Sequence, residues 1–306
     1  MQTAGIYGIK TMHLVLYSNF LLSSYGYIIM AKNKRDQKLS QPLRPRAMAE
    51  YGAFKGLNLP KGNFDQENWD HTYWLYSVGS KWGRHRGLVN IKKNLKPDLD
   101  QIQYDVQQST LHPLQPVLQE TKTSVQCTPG PVPKPVSWSL EHKIRHLNPQ
   151  RYAKKLNAEV SDLYMTPTMT EKGFIKNNVL TVYSHGRTHT RKVPENTVYN
   201  WAIFDLIQRM SREKTQKAEI AALVDMDELK DKQKISARGK EQISFADSKV
   251  NSDTFLRIGS GERAWLYYTD PQGRLLISIN GILSYILLDE NAAKDKQQQH
   301  QQVLEK

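Results

Sequence analysis

Residues 264–279 read AWLYYTDPQGRLLISI. Two runs of aromatic and branched apolar residues flank Asp270-Pro271-Gln272-Gly273. Proline presets one turn angle and glycine accepts a positive φ, so the stretch predicts a tight antiparallel hairpin. Ile282 to Leu288 adds a further apolar element behind it. Upstream, GFIKNNVLTVY (173–183) holds two shorter strand-like runs around Asn177-Asn178, a second turn signal.

Helical spacing governs the reading between and before these hairpins. Pro194-Glu195-Asn196-Thr197 reads as a helix start. Val198, Trp201, Phe204, Ile207 and Met210 then share one face, flanked by Ile203 and Leu206. After the charged break at 211–216, Ile220, Leu223, Val224 and Leu229 suggest a second helix. Leu140, Ile144 and Leu147, then Tyr152 and Leu156, suggest an earlier one interrupted by Pro149, and 232–254 reads as loop. The expected fold class is α+β, with helical segments plus a small antiparallel sheet ending in the C-terminal hairpin.

Composition divides the chain into expected segments. Residues 1–50 read as an extension and flexible basic arm, and 51–106 as a compact aromatic-basic module. Residues 107–137, with prolines at 113, 116, 129, 131, 133 and 135, read as a Pro/Gln-rich linker. The α+β domain is placed at 138–290 and a Gln-rich tail at 291–306. Met30-Ala31-Lys32 resembles an ordinary cytosolic start. On that reading residues 1–29 are an upstream extension, and the apolar stretch 12–30, if retained, acts as an anchor or a core strand.

The chain carries 43 Lys and Arg against 30 Asp and Glu, a net +13. After residue 195 the count balances at sixteen of each, so the basic excess lies earlier. Such an excess suits nucleic acid, an anionic surface or an acidic protein. Cys127, the sole cysteine, rules out an internal disulfide and cysteine-rich zinc sites, and its Pro-rich surroundings suggest an incidental surface thiol.

Two stretches combine cations with stacking or hydroxyl groups. In the first, Trp74, Lys81, Trp82, Arg84, Arg86, Lys92 and Lys93 interleave rings with charges that neutralise phosphates. In the second, His185, Arg187, His189, Arg191 and Lys192 alternate with threonines. The competing structural reading makes the rings core and the cations a solvated rim. Catalytic signatures are thin. His142 and His146 stand one helical turn apart without the glutamate of a zinc-protease motif, and Asp205 with Glu228 and Lys230 falls on helical patterns. The expectation is a cytoplasmic, non-enzymatic nucleic-acid-binding accessory factor in DNA replication, transfer or regulation. DNA is favoured over RNA, and no cofactor and no metal are expected. The alternatives are a metal-dependent nuclease and an adaptor within a protein assembly.

Overall fold

The computed structural model describes residues 44, 45, 48, 52–77, 85–112, 117–147, 154, 168–184, 186–224, 228–245, 248–260 and 262–305. They build one sheet of fifteen strands: β1 (Trp69–Ser77), β2 (His85–Lys96), β3 (Gln101–Leu111), β4 (Val117–Thr128), β5 (Lys134–His146), β6 (Met169–Lys176), β7 (Val179–Ser184), β8 (Arg187–Lys192), β9 (Thr197–Tyr199), β10 (Lys217–Val224), β11 (Glu228–Phe245), β12 (Ser248–Ile258), β13 (Trp265–Thr269), β14 (Leu275–Asn280) and β15 (Leu283–Leu287). Helix α1 (Ala202–Glu213) follows β9, and α2 (Glu290–Glu305) follows β15. The lateral order is β8 to β1, then β15 down to β9. Neighbours run antiparallel except β9 and β10, which are parallel.

The sheet curls because α1 needs a complete apolar jacket. Trp201, Phe204, Ile207 and Met210 of α1 are all buried. Phe204 meets Tyr73 of β1 edge-on at 5.2 Å and Tyr285 of β15 at 5.8 Å. From the same helix Ser211 donates to Asp253 of β12, and Gln208 Oε1 accepts the Leu275 amide of β14. Tyr199 of β9 lies 5.8 Å from the Trp138 ring of β5, so the β9 end returns against β5 while β6–β8 continue past it. Burying each large α1 side chain stabilises the fold by about 1.5–3 kcal/mol.

The α+β expectation is therefore overturned: the protein is mostly β, with one large sheet instead of a small one. Three misread segments account for the difference. The expected linker supplies the latter half of β3, all of β4 and the start of β5. Ile102, Tyr104 and Val106 point inward and alternate with outward Gln103, Asp105 and Gln107. Pro113 and Pro116 lie outside the described residues; Pro129, Pro131 and Pro133 sit between β4 and β5, and Pro135, near the start of β5, pairs with Cys127 at a register shift, where a missing N–H is tolerated. The expected helix near 140 is β5, because a spacing of four is also an even number and suits a strand face. The expected second helix and the loop after it form β10, β11 and β12.

Both expected hairpins are present. Strands β6 and β7 join at Asn177 (φ 52°) and Asn178 (φ 59°), a two-residue turn with both φ values positive. Strands β13 and β14 join across Asp270–Gly273, where Asp270 Oδ1 accepts the Gln272 and Arg274 amides. Cys127 is buried rather than at the surface.

The two halves of the outer surface differ. Outward Tyr268, Ile277 and Ile286, on β13–β15, are buried. Beside them Phe54 stacks on Phe245 of β11 at 5.3 Å, and α2 lies against β1 and β2. On β2–β8 the outward side chains are mostly polar and half-buried or exposed, with Phe174, Val179 and Tyr183 as open exceptions.

Candidate nucleic-acid interface

Strand register fixes which side chains meet on the outer face of β2–β8. Direct cross-strand partners form one row: Lys92, Asp105, Ser124, Ser139, Lys172, Tyr183 and Thr188. Beside it runs a row of Asn90, Gln107, Lys122, Glu141 and Thr170. On the other side Ser137 pairs with Phe174, and Phe174 with Thr181. From these two rows, the members between Lys92 and Lys172 and between Gln107 and Thr170 line a surface groove of about 570 Å³ on β2–β6.

Phe174 and Tyr183 stand at the β6–β7 end of the groove. Their rings lie 6.3 Å apart, and they are 37% and 48% exposed, unusually open for large rings within a sheet. Tyr183 is the direct partner of Lys172, and Lys176 and Lys192 both pair with Val179 on the same face.

The carboxylates of the groove are already engaged. Asp105 accepts from Gln103 Nε2 at 2.8 Å and from Ser124 Oγ at 2.7 Å. Glu141 pairs with Lys143 at 2.8 Å, and this hydrogen bond and charge hold its carboxyl below the usual range, with Lys122 adding to the effect. Among the described residues Lys92, Lys122, Lys172, Lys176 and Lys192 form no ion pair.

The residues singled out from sequence scatter. Lys81, Trp82, Arg84 and His185 lie outside the described residues. Trp74 is buried under α2 and its indole donates to His85. Arg86 is buried and donates to the His112 carbonyl. Lys93 points inward, where its Nζ lies 2.8 Å from Asp205 Oδ1 and 2.7 Å from the Gln66 carbonyl. Among the described residues of the first stretch, only Lys92 reaches the groove. On edge strand β8 Arg187, His189 and Arg191 share the inward register while Lys192 takes the outward one, and all four are exposed. Phe174, Tyr183, Lys122 and Lys172 were missed. Alternation within GFIKNNVLTVY could have found the rings, since Ile175 and Val182 claim the opposite face.

The nuclease candidates are committed elsewhere. Asp205 is fully buried, accepts from Tyr104 Oη and pairs with Lys93 and Arg209. Glu228 pairs with Lys230 on β11, and His142 is buried against Thr121. Among the described residues no three His, Cys, Asp or Glu side chains gather as a metal ion would need.

No family model and no curated protein matches the sequence. Similar solved structures include two proteins of unknown function. One is a β-barrel-like protein of a domain of unknown function from Brucella abortus, at a TM-score of 0.47 and 8% identity, covering 74% of this chain and 98% of that one. The other, from Pseudomonas aeruginosa, belongs to another family of unknown function, at a TM-score of 0.31 and 10% identity, covering 72% and 94%.

Proposed function

We propose that the protein binds single-stranded nucleic acid, without cleaving it, across the outer face of β2–β8. The observation that carries this reading is the exposed Phe174–Tyr183 pair beside Lys172, at the end of a groove holding Lys92 and Lys122. Exposed rings offer faces on which unpaired bases stack, and lysines without carboxylate partners suit phosphates. A broad sheet face does not enter a duplex groove, which favours single strands. The role fits an accessory factor, DNA being the first partner to try.

The test is fluorescence anisotropy of the whole chain with labelled single-stranded DNA, RNA and duplex DNA at two salt concentrations. The expected order places single strands first, with affinity falling as salt rises. Replacing both Phe174 and Tyr183 with Ala removes stacking of about 1–3 kcal/mol per base, a loss of at least tenfold. Lys122→Ala and Lys172→Ala each reduce the salt slope by about 0.7. Salt-independent binding, or affinity unchanged by the double ring substitution, overturns the assignment.

A further inference from the structure

Helix α2 is held against the sheet by few apolar contacts. Ala292 is buried, and Ala293 and Leu304 are half-buried, while most of its other side chains are exposed. A sixteen-residue helix with so slight an apolar stripe is marginal alone, so its polar anchors decide whether it stays docked. Two anchors stand on its inner side. Lys296 Nζ lies 4.1 Å from the centre of the Trp74 ring. His300, only 5% exposed, joins a hydrogen-bonded chain running from β1 to β3.

Chemistry fixes the direction of that chain. The Trp74 indole N–H can only donate, and it lies 2.8 Å from His85 Nδ1, which must therefore be bare. The neutral His85 ring then carries its proton on Nε2, 2.9 Å from His300 Nδ1. His300 in turn carries its proton on Nε2, 2.8 Å from Ser109 Oγ. Each ring accepts on one nitrogen and donates on the other, which only neutral imidazole can do. A proton added to either ring sets an N–H against an N–H. We propose that α2 is an acid-released cover over Trp74, latched at neutral pH by the His85–His300 pair.

The surrounding charges agree with the geometry. Burial holds the His85 pKa down to about 3, with His300 and Lys296 of α2 and Arg86 of β2 pushing the same way. Burial also lowers His300, and Glu120 of β4 opposes it in part. Once α2 lifts, both rings rise toward the ordinary value of about 6.5. Docking is therefore at full strength above about pH 6.5 and weakens as pH falls from there toward 3, because only the undocked state takes up protons readily. One pH unit below 6.5 each freed ring shifts the equilibrium about tenfold, and two rings about 100-fold. Release bares Trp74 beside the groove, since Ser109 and the groove residue Gln107 share the outer face of β3.

The test is hydrogen exchange of the whole chain at pH 7.5 and 5.5, read by mass spectrometry and corrected for the intrinsic pH dependence of exchange. Protection across 290–305 should fall about 100-fold at the lower pH while that of α1 stays level. Equal protection at both values overturns the latch. Combining His85→Phe with His300→Leu removes both titrating rings and should flatten the pH response. A response that survives this pair also overturns it. If the double variant fails to dock α2, the wild-type ratio decides alone. No nucleic acid enters the assay, so its outcome is independent of the binding assignment.

Discussion

Lys93→Met separates a residue that builds the fold from one that contacts a ligand. The Lys93 side chain is 4% exposed and that of Asp205 is fully buried, with Nζ 2.8 Å from Oδ1. Burial lowers the Lys93 pKa and the Asp205 carboxylate pushes it back up, the balance expected of an ammonium drawn out of water for a partner. Removing one member of such a pair usually costs about 3–5 kcal/mol, because the other is left charged in a dry interior. Here Asp205 keeps Arg209 at 2.7 Å and the Tyr104 hydroxyl at 2.8 Å, which places Lys93→Met at the lower end, about 3 kcal/mol. Asp205→Leu strands Lys93, Arg209 and Tyr104 and belongs at the upper end, about 5 kcal/mol. Combining Lys93→Met with Asp205→Leu should cost less than the two changes summed, by about 2 kcal/mol, since an apolar pair leaves fewer charges unmatched. Denaturant unfolding followed by circular dichroism measures all four states. If Lys93→Met costs under about 1 kcal/mol while the salt slope of nucleic-acid binding drops by about 0.7, Lys93 contacts phosphate and the structural assignment fails.

One further substitution and one chemical probe report on the interior. At Gly173 an added Cβ would sit 2.0 Å from the Trp138 ring, and Trp138 is itself held by its hydrogen bond to Glu171. Gly173→Ala should cost roughly 2–3 kcal/mol through overpacking, and an unchanged melting temperature would show that the ring moves aside freely. The Cys127 thiol is buried, and burial first and the nearby Asp205 charge second raise its pKa above the ordinary range. It should resist a disulfide reagent at pH 8 until denaturant is added, whereas labelling of the native chain within minutes would place the thiol at the surface.

Some of this architecture could be read from residues alone. The Asn177-Asn178 and Asp270–Gly273 turns announced their hairpins because turn chemistry is local. The body of helix α1 was legible because Phe204, Ile207 and Met210 recur at a period no strand shares, but its start was not: the helix begins at Ala202, and Thr197–Tyr199, expected inside it, form β9. Strands β3 to β5 were not. Their inward positions are often Thr or Gln instead of Val or Ile, as at Gln108, Thr121 and Thr123, so alternation of polarity is weak. What makes them strands is the long partner on either side, a nonlocal cause that propensity does not carry. The same cause decides which rings the surface offers. Trp74 and Phe174 are equally aromatic, and only α2 lying over one and not the other decides which ring faces solvent.

The sheet order explains how one observation on charge becomes a surface. Strands β1–β8 come from residues 69–192 and lie together on one side of the order. Strands β9–β15 come from residues 197–287 and lie on the other. Most of the basic excess before residue 196 falls in residues 69–192, eighteen Lys and Arg against nine Asp and Glu, and the strands of that stretch collect it laterally instead of mixing it with the balanced remainder. Within that half, inward positions are taken by the jacket around α1, and the one inward lysine discussed above is neutralised by Asp205. Apart from Arg187 and Arg191, which take the inward register of edge strand β8, the spare cations of β2–β8 face outward, on the same side as Phe174 and Tyr183. A polyanion approaching the β9–β15 half meets balanced charge and apolar residues already covered. One approaching β2–β8 meets unpaired lysines and open rings, so substitutions that reverse charge at Lys122 or Lys172 should matter far more to binding than the same reversal at Lys232 or Lys240 of β11.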